Sequence, residues 1–188
     1  MLLQGRYCNL RSISIKDAEI TLTWRLSDKA KYLHKGSKTI EEQTIWIENA
    51  LEKKDEFNFI IEYKSIPVGM ISIVKINYQH RTCEIGRLLI GETEFVGHAP
   101  VAYESELLLS DYVFDCLKLH KMYGFVLEDN KEMLNYRKYF GYKKEGLLRD
   151  HYIFDGEFKN TVVVSILENE YRTLGRPKLL MIIEVSTT

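Results

Sequence analysis

The sequence predicts an α/β (α+β) chain, and three observations carry the prediction. Runs of strand length rich in Ile, Val and Phe fall at 58–63, 67–77 and 82–91. Leu109, Val113, Cys116 and Leu117 recur at the spacing of one helix face inside 102–120. Turn signals punctuate the chain at Lys64-Ser65-Ile66, Gly97-His98-Ala99-Pro100 and Asp155-Gly156.

In chain order, 9–15 is a first strand, and 16–35 gives one or two short helices that start at Asp17 and Asp28. Thr39 and Glu42 make a capping box, and Ile40, Ile47, Ala50 and Leu51 follow as an apolar stripe, so a helix comes next. The short 64–66 connection makes 58–63 and 67–77 an antiparallel pair, and 82–91 is the next strand. A long helix over 102–120, a short buried strand over 122–127 and a helix over 130–140 follow, the last closed by Gly141 as a left-handed cap. Strands 143–154 and 158–168 turn at Asp155-Gly156. The order is β, α, α, β, β, β, α, β, α, β, β. Residues 1–171 read as one domain, and 172–188 as a tail of unassigned role, whose apolar burst at 179–185 suits a tail strand or a partner-binding segment.

With 188 residues and 45% hydrophobic content the chain can bury a substantial core. Lys plus Arg number 26 against 27 Asp plus Glu, which removes any general attraction to nucleic acid or an anionic membrane. An anionic ligand must therefore be caught locally. Cys8, Cys83 and Cys116 are too scattered for a disulfide framework or a zinc cluster, so no metal is expected. The N-terminus lacks a signal-peptide pattern, and no run of about 18 apolar residues occurs. The expectation is a cytoplasmic protein acting on a small molecule, with no nucleic-acid or membrane partner; a homodimer is compatible with the sequence.

The step from Ile90 through Gly97-His98-Ala99-Pro100 into a helix near Ala102 aims unpaired N–H groups and the positive end of a helix dipole at one spot. That suits a phosphate, although small residues before a helix are also ordinary turn chemistry. Together with the element order, with Asn130 after the fifth strand and with Gly141-Tyr142 ending the next helix, this stretch resembles the Gcn5-related N-acetyltransferase (GNAT) family, in its ribosomal-protein and spermidine acetyltransferase branch. The resemblance spans 9–168. It implies a mixed, mostly antiparallel sheet of six to seven strands flanked by about four helices and splayed between its fourth and fifth strands. It also implies acetyl-CoA as co-substrate and no metal. Gly97, His98, Ala99, Val101 and Ala102 then face the pyrophosphate, with Glu94 where the family prefers Gln or Arg and Pro100 removing one donor. The backbone of Leu88, Leu89 and Ile90 would pair with the pantetheine arm and polarise the acetyl carbonyl, and Asn130 would contact CoA or simply cap its helix.

The N-terminal half is similar to nucleotide-amino-sugar N-acetyltransferases of the pseudaminic acid type, through Trp24-Arg25, Lys31-Tyr32, 39–46, Val68-Gly69 and above all 75–81. The implied acceptor is the 4-amino group of a UDP-linked amino-deoxy sugar. Trp24, Tyr32, Trp46 and Tyr78 would supply aromatic walls, and Arg25, His34, Lys35, His80 and Arg81 would meet the diphosphate, although Trp46 equally suits a core position.

Acyl transfer to an amine needs a neutral nitrogen, an oxyanion donor and a proton for the thiolate. Glu84 is the expected general base, or else a salt-bridge partner. The family's acid is a Tyr seven residues after the Asn, a position that Arg137 occupies here; Tyr136 is the leading candidate acid, Arg137 the second, and Tyr139 is a third aromatic nearby. The alternatives are a ribosomal-protein-type N-terminal acetyltransferase, a polyamine N-acetyltransferase or a non-catalytic acyl-CoA-binding module.

Overall fold

Strand and helix ranges in the computed structural model, which describes residues 1–33, 36–154 and 156–186, follow the predicted order with additions at both ends. The strands are β1 (Leu2–Gln4), β2 (Cys8–Ser12), β3 (Phe57–Tyr63), β4 (Ile66–Asn77), β5 (Thr82–Ile90), β6 (Lys121–Leu127), β7 (Lys143–Phe154) and β8 (Glu157–Leu167). Among the described residues they form one sheet of eight strands in the order β1-β2-β3-β4-β5-β6-β8-β7. Every neighbouring pair is antiparallel except β5 and β6, which run parallel. The helices are α1 (Ala18–Leu26), α2 (Ile40–Glu52), α3 (Thr93–Val96), α4 (Val101–Asp111), α5 (Lys131–Tyr139), α6 (Glu168–Glu170) and α7 (Arg176–Val185).

The strand period of two sorts the side chains into two layers. Phe59 and Ile61 on β3 enter a core with Leu109 of α4 and Ile183 of α7, while Ile60 and Met70 turn to Trp24 of α1 and Ile47 of α2 on the other face. Lys64 and Ser65 both take positive φ, 51° and 64°, and form the two-residue turn that matches strand twist between β3 and β4. The predicted turn at Asp155-Gly156 falls in part on Asp155, outside the described residues; Gly156 has φ 83°.

Four expectations change. On α2 only Ile47 and Ala50 of the proposed stripe are buried; Ile40 and Leu51 are 46% and 53% exposed, and Gln43 takes the inner place, donating to Thr21 Oγ1 at 3.0 Å. Thr39 Oγ1 accepts from Glu42 N, but the Glu42 carboxylate reaches back to Lys38 N, one residue short of the full box. The long helix ends early, α4 passing into a π-helical turn over Tyr112–Cys116. Finally, the apolar burst at 179–185 is helix α7, not a strand. Its Leu179 and Ile183 are buried against the α4 side, contributing about 1.5–3 kcal/mol each, and Arg176 Nε donates to Asp111 Oδ1 at 3.0 Å.

Helix ends that flank the site are well specified. Gly141 has φ 91°, its N–H donates to Lys138 O, and Tyr142 N–H donates to Arg137 O, the paired bonds of a left-handed glycine cap. At the other side, buried Glu104 near the start of α4 accepts from Arg6, Tyr7 and Cys8 N–H at 2.8, 2.7 and 2.6 Å, fixing the β1–β2 turn to α4. Among the described residues no helix is long and apolar enough to cross a membrane, and no group of three or more His, Cys, Asp or Glu stands together for a metal.

Candidate active site

β5 and β6 pair only at Thr82–Lys121, Cys83–Met122 and Glu84–Tyr123; beyond Glu84 they part. Gly124 still lies close against β5 just past the last pair, since a Cβ there would lie 3.1 Å from Ile85 O. A bulge then re-aims β5: Met70 faces Leu89 and Ser72 faces Gly86, so Arg87 and Leu88 together oppose Ile71, with Arg87 at φ 57°. The opening is a cleft of about 440 Å³ walled by Ile85–Leu88 and Gly124–Leu127 and closed by Asn130, Met133 and Tyr136 from the α5 side. From Ile85 onward the β6-side edge of β5 has no strand partner among the described residues.

Of the three residues expected to hold pantetheine, Leu88 lines this cleft, Ile90 pairs with Gly69, and the Leu89 side chain is buried in the α1–α2 layer. Past β5, α3 ends at Gly97 (φ 58°), a conformation open to glycine, and His98, Ala99 and Pro100 lead into Val101. Ala99 N–H donates to Val96 O and Val101 N–H to Ala99 O. The N–H groups of Ala102 and Tyr103, in the first turn of α4, have no intrahelical acceptor. Asn130 caps its helix, its Oδ1 accepting from Met133 N at 3.1 Å, and it lines the cleft.

Glu84 stands at the point of parting and is ion-paired with Lys75 Nζ at 2.8 Å. Lys75 has φ 52° in a second bulge, where Lys75 and Ile76 oppose Cys83, and its ammonium lies 5.6 Å from the Phe125 ring centre. Burial, then Glu84, pushes the Cys83 thiol up to about 12, so it is no thiolate nucleophile. Across the cleft the Tyr136 ring stacks on Tyr103 at 5.8 Å and meets Phe140 edge-on at 4.8 Å. Its buried hydroxyl oxygen has no hydrogen-bond partner among the described residues. Burial, then the nearby Glu106 charge, holds this phenol well above its ordinary pKa, so it keeps its proton at neutral pH.

Arg137, expected as a second candidate at the thiolate, lines the cleft beside Tyr136 but is engaged from its other side. Only 4% exposed, it pairs with Glu106 Oε1 at 2.5 Å, and Tyr142 OH donates to the same oxygen at 3.2 Å. Its charge is already matched. Tyr139 is 46% exposed and carries Lys178 over its ring at 4.7 Å, on the outside of α5.

The residues assigned to a nucleotide-sugar acceptor do not converge. Trp24 is 2% exposed, packed beneath Gly91, with Nε1 donating to Glu92 Oε1 at 2.8 Å. Tyr78, His80 and Arg81 lie at the β4–β5 turn, where Arg81 Nε donates to Lys118 O at 2.8 Å, and none of them lines the cleft. Arg25 and Trp46 share a smaller hollow with Arg87, whose guanidinium lies 5.2 Å from the Trp46 ring. Tyr32 alone lines the main cleft; His34 and Lys35 lie outside the described residues. Sequence reasoning missed Lys75 and Glu106 as site residues. Glu106 carried a signal, a carboxylate set directly before Leu107-Leu108-Leu109 in a helix whose inner face must be dry. Lys75 stood in the 75–81 stretch that the resemblance singled out, but nothing local placed it beside Glu84, since a bulge is set by strand pairing.

Residues 8–143 match the family model described as "Acetyltransferase (GNAT) domain". The chain is 26% identical over 121 residues to spermidine N(1)-acetyltransferase of Escherichia coli K12, the match covering 64% of this chain and 63% of that enzyme's length. It is 23% identical over 171 residues to spermidine N(1)-acetyltransferase of Vibrio cholerae, covering 82% of this chain and 96% of that one. The fold matches a GCN5-related N-acetyltransferase from Brucella melitensis (TM-score 0.81, 22% identity, 96% of this chain and 84% of that one). It also matches the Vibrio cholerae spermidine N-acetyltransferase in complex with CoA and spermine (TM-score 0.78, 21% identity, 90% and 100%). With the family model covering most of its length and the splayed cleft in the expected place, this chain belongs to the GNAT acetyltransferase family.

Proposed function

We propose that this protein transfers acetyl from acetyl-CoA to a primary amine of a polyamine by direct attack, without a covalent enzyme intermediate. The observation that carries the acceptor is collinearity with a spermidine N(1)-acetyltransferase over 96% of that enzyme's length. The cleft fits the co-substrate on three counts. The open edge of β5 can pair with an extended arm, the first-turn N–H groups of α4 suit a pyrophosphate, and the Tyr136 hydroxyl has a proton to give. Leu88 lies in the bulge and lines the cleft, and its backbone N–H is the oxyanion donor of this reading. Glu84 takes the ammonium proton of the acceptor, directly or through water. Arg137 holds α5 against α4 through Glu106 and thereby positions Tyr136.

The nucleotide-sugar acceptor is set aside because its aromatic and basic residues are dispersed. Lys29 and Lys31 both line the cleft, but Lys29 Nζ donates to Gly91 O at 2.6 Å and the Lys31 ammonium lies 5.0 Å from the Tyr32 ring centre, and the acidic Glu84 and Glu132 line the same cleft. A thiol-release assay with spermidine, spermine, a UDP-linked amino sugar and a ribosomal-protein N-terminal peptide tests the reading. Polyamine kcat/KM is expected at least about tenfold above the others. Faster turnover of the sugar or peptide overturns the acceptor; acetyl-CoA binding without turnover of any amine leaves a binding module.

A further inference from the structure

We propose that Lys75 is a tethered occupant of the acceptor's ammonium subsite, resting on Glu84 until the acceptor amine displaces it. The corner formed by Glu84, Phe125 and Tyr152 is then a subsite selective for alkylammonium groups. The inference rests on the polyamine reading for the acceptor's identity, and the test below separates the two.

The geometry is specific. A lysine in the left-handed region, with φ 52°, is costly for a non-glycine residue, and here it sits in the bulge that brings its side chain to the cleft carboxylate. Nζ lies 2.8 Å from Glu84 Oε2 and 5.6 Å from the centre of the Phe125 ring, which His151 flanks at 5.3 Å and Tyr123 at 5.9 Å. Glu84, Phe125 and Tyr152 line the cleft. A carboxylate beside an aromatic face is the pairing that a primary alkylammonium requires, and the protein's own lysine already occupies it. Hydrogen bonding to Glu84 raises the Lys75 pKa, so the side chain stays cationic at neutral pH. Because the Lys75 side chain is 63% exposed, the pair is weak and displacing it costs the acceptor only roughly two- to fivefold in affinity. Lys75 thus acts as a soft filter: a cationic amine can replace it like for like, whereas a neutral or anionic group would leave Glu84 with Lys75.

The test follows Lys75 directly. In protein labelled with ¹⁵N at lysine Nζ, the Lys75 signal is identified by its loss in Lys75→Met. Titration with spermidine is expected to move it toward the position of solvent-exposed lysines. Spermidine KM is expected to fall roughly two- to fivefold in Lys75→Met and to stay near wild type in Lys75→Arg, the effect falling on KM rather than kcat. An unmoved Lys75 signal at spermidine concentrations that saturate turnover, or an unchanged KM in Lys75→Met, overturns the proposal while the polyamine reading stands. A shifted Lys75 signal without spermidine turnover supports the subsite and overturns the polyamine reading instead.

Discussion

Two cation–carboxylate pairs flank the cleft, and they differ in their access to water. Lys75–Glu84 joins side chains that are 63% and 16% exposed, whereas Arg137–Glu106 joins side chains that are 5% and 1% exposed. The first is screened and exchangeable, so its carboxylate can serve an incoming amine. The second is desolvated on both sides, with Tyr142 donating to the same oxygen, so breaking it would strand a charge in a dry layer. Water access, more than the distance between the charges, separates the exchangeable pair from the buried one.

The comparison breaks most visibly in the reaction. Glu84→Gln should lower turnover roughly 10²- to 10⁴-fold at neutral pH, with part of the loss recovered at higher pH where more acceptor is neutral. Isothermal calorimetry should find acetyl-CoA affinity nearly unchanged, and near-native turnover would remove Glu84 as the base. Arg137→Met should act on stability instead, costing about 3–5 kcal/mol because Glu106 is left buried and unpaired. Urea unfolding of Arg137→Met with and without Glu106→Gln checks this: the double variant should regain much of the loss, and equal losses in both would mean that the pair is not what holds α5 on α4.

Acid sharpens the contrast through carboxylates held as anions. Burial pushes Asp17 and Glu56 up, but hydrogen bonds from Arg11 and Ser14 to the first, and from Asn58, Arg87 and Lys53 to the second, outweigh it and leave both below the usual carboxylate range. Groups depressed in the folded state contribute stability that is present above their unfolded pKa and is lost as pH falls through the folded value. The thermal midpoint should therefore hold from about pH 7 to pH 5 and drop below about pH 4. An unchanged midpoint at about pH 3 would refute this assignment. The smallest effect belongs to Lys75→Met, whose pair is too exposed to contribute more than about 1 kcal/mol, so its melting temperature should stay within a few degrees of wild type.

Elements with a periodic signal were legible in the chain. The β3–β4 hairpin, α5 with its Asn130 cap and Gly141 close, and the parting of the strands named from the family resemblance all stand where the residues put them. Strand β1 was not legible, because three residues of mixed polarity, Leu2–Gln4, carry no period and are held by register with Asn9–Arg11. The helix at 176–185 read ambiguously because a run such as Leu-Leu-Met-Ile-Ile is apolar at every spacing, and only packing against α4 selects the helix.

Within the site the division is similar. The family resemblance nominated Glu84, Tyr136 and Asn130, by matching their residue types to positions along the chain. Which carboxylate is wet and which dry, that Trp24 is core while Tyr32 lines the cleft, and that Lys75 reaches Glu84, were decided by long-range pairing and by two bulges that no local preference encodes. Local composition determines which elements can form and which groups can react. Burial and strand register are properties of the whole sheet, and they determine which of those groups meet, and in how much water.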